Sequence, residues 1–207
     1  MQIIQIWARG FGAKTYVLTE DNKTAIVIDP AQSRVAEELE KRGLQCKYVL
    51  LTHCHFDHVG GVPVLQEKGA EVLCGEAEKP LVGTKADLFE AFGIPFEGYR
   101  VDETWKDGQT RELCGITVQA LHTPGHTAGG MCYLVTDKEG RTSLFTGDTL
   151  FCGTIGRTDF PTGDLSALRT SLKKLSALDG DMPVYPGHQE ETTLENERKT
   201  NPFMCDN

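Results

Sequence analysis

The sequence predicts one α+β domain, residues 1–207, built from two related halves. Short β-rich runs alternate with a few amphipathic helices. The second half repeats the strand-and-loop order of the first, and no Pro/Ser-rich linker separates them. With 207 residues, 39% hydrophobic and 25% charged, the chain is long enough to bury a substantial core.

The first half begins with β-rich runs, and its predicted strands cover 3–6, 16–19, 25–28, 48–51 and 71–74. Asp29-Pro30 ends the third strand, and Ser33 is expected to cap a helix, VAEELEKR, that stops at Gly43. Further helices are predicted over 62–68 and, as one or two segments, over 76–92. Residues 93–108 form the least regular part.

In the second half, strands are predicted over 109–113, 116–121, 131–136, 143–145 and 183–185, with a helix over 165–178. Across both halves, four separate strands end on their C-terminal side in a short loop that contains Gly or Pro and bears His or Asp. Loops held on a rigid sheet edge are where binding residues concentrate. These four loops are therefore the predicted functional site.

The strongest motif is His53-x-His55-x-Asp57-His58. In an extended loop, alternation would place residues 53, 55 and 57 on one side and 58 on the other. Imidazole and carboxylate without thiolate are ligands of catalytic zinc, iron or manganese. Such a cluster needs further ligands, and those predicted from the other loops are His126, Asp148 and His188.

Some nearby residues have a simpler interpretation. Asp148, in Thr-Gly-Asp, is also of a type common in turns. His122 is interpreted as structural or as a support for the ligands, and Cys54 is expected to pack away from its histidine neighbours. Tyr185 is expected to pack at a strand end.

Four motifs, T-H-C-H-F-D-H, H-T-P-G-H-T, F-T-G-D-T-L-F and Y-P-G-H, resemble the metallo-β-lactamase superfamily in order and spacing over about residues 16–203. The resemblance implies a four-layer αββα sandwich with a metal site at one edge, between the two sheets. It also implies that His53, His55 and His126 hold a first metal, and that Asp148 bridges it to a second. The ligands implied for the second metal are Asp57, His58 and His188.

The true β-lactamases carry Cys where this chain has Asp148, so the chain looks like the glyoxalase II side of the superfamily and antibiotic hydrolysis is not expected. The expected cofactors are two divalent ions, zinc first, with iron or manganese open. The resemblance implies a hydrolase that attacks a thioester, such as a hydroxyacylglutathione, with a hydroxide shared by two metals. As a hypothesis, Asp57 takes a proton from that water. The residual positive field would attract a small anionic acyl or thiol-derived substrate.

Residues 156–163 and the ending Glu197-Arg198…Asn201-Pro202-Phe203 are similar to the short, single-domain glyoxalase II-like hydrolases. Long glyoxalase II enzymes have a helical C-terminal domain that helps bind glutathione, and most of it is expected to be absent here. Arg157 is the candidate for binding a substrate carboxylate or thioester oxygen. The alternative for Arg157 is an ion pair with Asp159 or Asp164.

Two other functions stay open at this point. Persulfide dioxygenases share the fold, the first motif and the segment G-R-T-D-F at 156–160, and use one iron held by residues matching His53, His126 and Asp148. The other alternative is an inactive metal-binding or partner-binding module. No GxSxG elbow, Walker A loop or dinucleotide fingerprint indicates a different chemistry.

Composition limits the partners. The net charge of −9, from 21 basic and 30 acidic residues, disfavours nucleic acid. No stretch reaches the length of a membrane span, and the start, MQIIQIWARGFG, lacks the features of an export signal. Seven cysteines without a CxxC pair fit a reducing compartment, so a cytoplasmic protein is expected. The oligomeric state is not predicted.

Overall fold

A computed structural model describes residues 1–8, 10 and 12–205. The first half of the chain supplies one six-stranded sheet, whose strands follow in chain order. They are β1 (Gln2–Ile6), β2 (Thr15–Thr19), β3 (Thr24–Ile28), β4 (Gln45–Leu50), β5 (Glu71–Gly75) and β6 (Glu103–Trp105). Strands β1 to β3 pair antiparallel, and β3 to β6 pair parallel.

The second half supplies the other six-stranded sheet and a small hairpin. The strands are β7 (Thr110–Leu113), β8 (Ile116–His122), β9 (Met131–Thr136), β10 (Thr142–Gly147), the hairpin β11 (Leu150–Phe151) and β12 (Thr154–Ile155), β13 (Pro183–Pro186) and β14 (Thr192–Thr193). The order in the sheet is β14-β13-β10-β9-β8-β7, and only β10 and β13 pair parallel.

Helices cover the outer faces of the sheets. They are α1 (Val35–Lys41), α2 (Phe56–Val59), α3 (Val62–Glu67), α4 (Leu165–Ser176), α5 (Leu194–Thr200) and α6 (Pro202–Cys205). Apolar residues of α1 and α3 pack on the first sheet, and those of α4 pack on the second. The expected αββα sandwich is therefore confirmed.

The period-2 pattern of β3 shows how the layers form. Ile26 and Ile28 point into the core between the sheets, where they pack with Tyr133 and Phe145 of the second sheet. Val27 points the other way, towards the residues of α1 and α3. Because successive side chains in a strand face opposite sides, one apolar strand can serve two cores. The central core therefore draws on both halves of the chain.

Two sequence predictions are wrong in the segment before residue 93. Helix α1 has Arg34 as its N-terminal boundary residue, without a side-chain cap, because the Ser33 backbone already lies in the preceding turn. The predicted helices over 76–92 are only two 3-10 turns, Lys79–Leu81 and Lys85–Asp87. The Asp87 carboxylate accepts hydrogen bonds from backbone N–H groups of the same segment, which holds it as a loop.

The C-terminal helices α5 and α6 were not predicted, and the Glu197…Asn201 motif explains how they are held. Glu197 is fully buried and accepts hydrogen bonds from Gly153 N, Thr192 Oγ1 and Asn201 Nδ2. Arg198 donates to the backbone carbonyl of Ser176, the last residue of α4, and to that of Gly180 beyond it. This motif is therefore structural. Strand β6 was also missed, since it has only three residues.

In the part of the chain that the structure describes, there is no helix with the length and apolar character needed to cross a bilayer.

Candidate metal centre

The four predicted loops meet where strands from both sheets end. The loop after β4 carries His53 to His58, and the loops after β8, β10 and β13 carry His126, Asp148 and His188. All seven side chains are within reach of at least one other member of the set. The structure therefore brings together every residue predicted to be a ligand.

One group of three histidines is buried. His53, His55 and His126 each offer a ring nitrogen, and these nitrogens all lie within 4.8 Å of one another. The Nε2 atom of His126 is 2.9 Å from the Nδ1 atom of His55. The three residues are 2%, 2% and 5% exposed, so this end of the site is closed to solvent.

A second group faces solvent on one side. Its members, Asp57, His58 and His188, also have ligand atoms within 4.8 Å of one another. The Nε2 atom of His188 is 3.1 Å from Asp57 Oδ2. The His188 side chain is 32% exposed and that of Asp57 is 16%, whereas His58 is fully buried. Access to the centre is therefore through Asp57 and His188.

Asp148 lies between the two groups. Its Oδ1 atom is 3.3 Å from His58 Nε2. Its Oδ2 atom is 3.6 Å from His126 Nε2 and 3.6 Å from His188 Nε2. One carboxylate therefore faces both groups.

The alternation predicted for the first motif is wrong beyond His55. Helix α2 begins at Phe56, and the His58 N–H donates to the His55 carbonyl, so Asp57 and His58 lie on a helical turn. The His58 ring is not on the opposite side, since its centroid is 4.0 Å from that of His53. Asp57 and His58 therefore follow helical geometry and not the period of two of an extended strand. This helical turn brings both side chains to His188, the third member of their group.

Asp29 supports two of the histidines, a role that sequence reasoning missed. Its Oδ2 atom accepts from Thr52 Oγ1 at 2.6 Å and lies 2.9 Å from His58 Nδ1. Because the Thr52 hydroxyl donates to Asp29, it is free to accept a hydrogen bond from His53 Nδ1, 3.0 Å away. Both rings are then protonated at Nδ1 and present Nε2 to the centre. The available signal was Asp29 itself, at the end of a buried strand.

His126 is oriented in the same way by a carbonyl group. Its Nδ1 atom donates to the Arg157 carbonyl at 2.7 Å, so its Nε2 atom carries the lone pair that faces the centre. The Arg157 side chain points elsewhere. It makes two bonds of 2.6 Å to Asp159 and lies over the Phe160 ring, and it is 56% exposed.

Glu78 is a second supporting residue that the sequence did not reveal. It is fully buried and accepts from Cys54 N, Thr127 Oγ1 and Gly129 N, at 2.8, 2.8 and 3.1 Å. Cys54 lies between two histidines of the first loop, and Thr127 follows His126. Glu78 therefore connects the two loops that supply the buried histidine group.

Two glycines permit the close approach of these loops. A Cβ at Gly187 would overlap Asp148 Oδ1 and lie 2.7 Å from His58 Cε1. Gly147 has φ +48, and a Cβ there would overlap the Thr52 side chain. Both positions therefore require a residue without a side chain.

The donor set fits divalent cations. Among the described residues, the Nε2 atoms of His53, His55 and His58 and the Oδ1 atom of Asp148 are buried without a hydrogen-bond partner. Buried polar atoms are rarely left unsatisfied in proteins, so such a cluster indicates a bound ion. Imidazole nitrogen and carboxylate oxygen are the donors that zinc, iron and manganese accept.

Electrostatics agree with that fit. Burial, reinforced by the neighbouring histidines, lowers the pKa of His53 well below its usual value, and burial lowers that of His55 to about 3. Burial acts to raise the pKa of Asp148, but the adjacent histidines keep it below its usual value. Burial opposes the charge on His58, but three surrounding carboxylates hold its pKa well above the usual value. His53 and His55, neutral beside an ionised Asp148, are ready to bind a cation. By contrast, His58 would release a ring proton when a cation binds.

The remaining predicted positions lie outside this set. His122 bonds the Ala128 carbonyl through Nε2 at 3.0 Å, which is a structural role. Tyr185 stacks on Phe145, as expected for packing. Cys54 is fully buried, and all seven cysteines are free thiols.

Comparison with known proteins assigns the family. A family model described as the metallo-β-lactamase superfamily matches residues 8–188. The chain belongs to the metallo-β-lactamase superfamily. The expected family resemblance is therefore confirmed.

The proteins to which this chain is similar carry the names of several different proteins of this fold. Hydroxyacylglutathione hydrolase GloC of Haemophilus influenzae is 35% identical, over 99% of this chain and 97% of that protein. The crystal structure of the BLEG-1 B3 metallo-β-lactamase is 30% identical, with a TM-score of 0.88 and coverage of 98% and 99%. TTHA1623 in a di-iron-bound form is 33% identical, with a TM-score of 0.83 and coverage of 97% and 99%. ETHE1 from Myxococcus xanthus is 27% identical, with a TM-score of 0.76 and coverage of 98% and 84%.

Proposed function

We propose that this protein is a metal-dependent hydrolase that cleaves a small thioester, such as a hydroxyacylglutathione or a related acyl compound. His53, His55 and His126 would hold one divalent ion, Asp57, His58 and His188 a second, and Asp148 would be shared. Zinc is the first candidate, and iron or manganese would use the same donors. We also propose that residues 1–207 form one domain, because the core between the sheets draws on both halves.

One observation carries the proposal: two groups of ligand atoms face the same carboxylate, that of Asp148. Each group spans at most 4.8 Å, and Asp148 presents one oxygen within 3.3 Å of His58 and the other within 3.6 Å of His126 and His188. A purely structural cluster would satisfy its polar atoms internally, whereas four atoms here have no hydrogen-bond partner among the described residues.

Bound divalent cations supply Lewis acidity and lower the pKa of a coordinated water to about 7. The chain supplies the rest. Asp57 stands at the exposed side, and although burial acts to raise its pKa, His58 and His188 hold it below its usual value. An ionised carboxylate at this place can accept a proton from an attacking water, which is the role we propose for Asp57.

A thiol-derived substrate is favoured by the relatives. The Haemophilus protein named hydroxyacylglutathione hydrolase matches this chain almost from end to end. Two divalent cations with two or three carboxylates around them also leave a local excess of positive charge, which suits an anionic substrate. The cytoplasmic location stays a prediction.

The test measures metal content and thioester cleavage on the same purified sample. We expect about two equivalents of divalent metal per chain and hydrolysis of S-lactoylglutathione. Removal of metal by a chelator should abolish turnover, and returning zinc or another divalent ion should restore it. Full turnover by metal-free protein would contradict the proposal.

The persulfide dioxygenase alternative rests on the segment at 156–160. It predicts one iron per chain and consumption of oxygen with glutathione persulfide. These two readings separate it from the hydrolase, since hydrolysis consumes no oxygen.

Arg157 is the predicted substrate-binding residue. Because its guanidinium is already bonded to Asp159, we expect its replacement to have only a small effect on KM. A substrate anion would have to replace the two bonds of 2.6 Å to Asp159 at an exposed site. We therefore expect Arg157→Ala to raise KM by only about threefold, because an exposed ion pair contributes about 0.2–1 kcal/mol. Steady-state kinetics with S-lactoylglutathione check this, and a fall in kcat at constant KM would exclude a binding role.

A further inference from the structure

A groove of about 650 Å³ opens beside the metal centre. Asp57 and Phe56 line its inner end, and the segment 94–99 and Arg34 line the rest. Because Asp57 belongs both to the groove and to the exposed side of the centre, a molecule reacting at the centre can extend into the groove. A site of this volume is large enough to hold a small organic ligand.

Contacts between aromatic rings run from the centre to the groove, and three of the rings, Phe56, Phe89 and Phe96, line the groove. Phe160 is 5.9 Å from the His55 ring and 6.4 Å from Phe92, and Phe92 is 4.7 Å from Phe56. The ring contacts continue to Phe89 and Phe96, whose ring centroids are 5.0 Å apart. We call Phe56, Phe89 and Phe96, the three phenylalanines that line the groove, the aromatic wall.

The outer part of the wall is exposed in a way that a core residue would not be. Phe96 is 39% exposed, and Ile94, which also lines the groove, is 39% exposed. Exposed apolar side chains that line a groove mark a binding surface. The body of the ligand that they suit is apolar.

Arg34 supplies the one cation among the described residues that line the groove. Its Nε atom is buried and has no hydrogen-bond partner in the described structure, and no carboxylate there pairs with the side chain. The exposed Glu97 also lines the groove but forms no ion pair with Arg34. By contrast, the Arg157 guanidinium is already bonded to Asp159. An arginine that lines an apolar groove and forms no ion pair with a described residue suits a carboxylate.

We propose that the groove binds one arm of the thioester substrate, an apolar chain that ends in a carboxylate, with the chain on the aromatic wall and the carboxylate on Arg34. This inference rests on the proposed thioester hydrolysis for the identity of the reacting group. The residues of the groove would suit either the acyl arm or the thiol arm of the thioester. The experiment below determines which of the two arms binds there.

The kinetic test uses metal-loaded protein and two pairs of thioesters. The two thioesters of the first pair differ only at the end of the acyl arm, which is a carboxylate in one and a carboxamide in the other. In the second pair, the same difference is at the end of the thiol arm. For Arg34→Gln we expect the carboxylate-to-carboxamide ratio of kcat/KM to fall at least about tenfold in one pair, because a charge-assisted bond contributes on that scale. The pair that responds identifies the arm.

Arg169→Gln is the matched control, since Arg169 is exposed on α4 away from the groove. Phe96→Ala should raise KM for both members of the responding pair, whereas Phe203→Ala, with the same 39% exposure, should not. If Arg34→Gln leaves the ratio in both pairs within twofold of wild type, the proposal is wrong.

A binding measurement separates this proposal from the proposed function. Calorimetry with 4-phenylbutyrate and its primary amide requires no turnover. We expect the carboxylate to bind more tightly than the amide and to lose at least about tenfold in affinity in Arg34→Gln. If the carboxylate binds the metal ions instead, Arg34→Gln will not weaken it, and the groove assignment fails. If no thioester is hydrolysed but this binding pattern holds, the thioesterase proposal fails and the groove remains.

Discussion

Replacing Asp148 by asparagine is expected to lower metal content and to reduce thioester hydrolysis by at least about a hundredfold, since losses of 10–100-fold already follow changes in residues that only support the ligands. Asparagine keeps the shape of the side chain, so the loops still pack around Gly147 and Gly187. What disappears is the negative charge that faces both groups, 3.3 Å from His58 and 3.6 Å from His126.

Asp179→Asn is the matched control, because Asp179 is exposed and precedes the start of β13, whereas the ligand loops follow the ends of their strands. Metal analysis, circular dichroism and turnover of S-lactoylglutathione on the same preparations separate loss of metal from loss of fold. If Asp148→Asn retains wild-type metal content and rate, Asp148 is not a shared ligand.

Replacing Glu78 by alanine is expected to destabilise the protein by about 3 kcal/mol or more and to weaken metal binding. The change leaves Cys54 N, Thr127 Oγ1 and Gly129 N without their acceptor in a fully buried place, and each buried donor left unsatisfied costs about 1–3 kcal/mol. The metal effect follows because Glu78 ties together the loops of His55 and His126.

Glu76→Ala controls for the loss of a carboxylate in the same segment, since Glu76 is exposed. Chemical denaturation gives the free energy of unfolding, and titration with zinc gives metal affinity. Glu78→Gln keeps the side-chain volume, so it should retain more stability than Glu78→Ala while still weakening metal binding. Unaltered stability and metal affinity in Glu78→Ala would show that the two loops hold their positions without it.

The ligand loops could be predicted because each motif combines a chemical requirement with a position in the strand pattern. Histidines and aspartates that follow separate apolar strands have few structural reasons to recur there, and a metal needs several of them at once. The family motifs then divided the seven residues into two groups, and the structure brings His53, His55 and His126 together and Asp57, His58 and His188 together, while it also places His53 beside His58.

The segment 76–92 shows why local patterns failed elsewhere. Its composition is compatible with helices, but Asp87 bonds the backbone of the segment itself and Leu88 has φ +67. Burial of Ala86 and Phe89 against the rest of the protein then favours a loop over a helix. Tertiary packing outweighs helix propensity, which is worth only tenths of a kcal/mol per residue, about 0.7 at most for ordinary residues.

The sequence by itself determined the fold class, the family resemblance and the residue types of the metal centre, because periodicity and motif spacing are local properties of the chain. Only the tertiary structure decided what surrounds them. Asp29 and Glu78 support the ligands, Arg157 is held by Asp159, and Arg34 lines a groove with an unused donor. Apart from the local pair Arg157–Asp159, which the sequence offered as an alternative, these relations join residues distant in sequence, so they exist only in the folded chain.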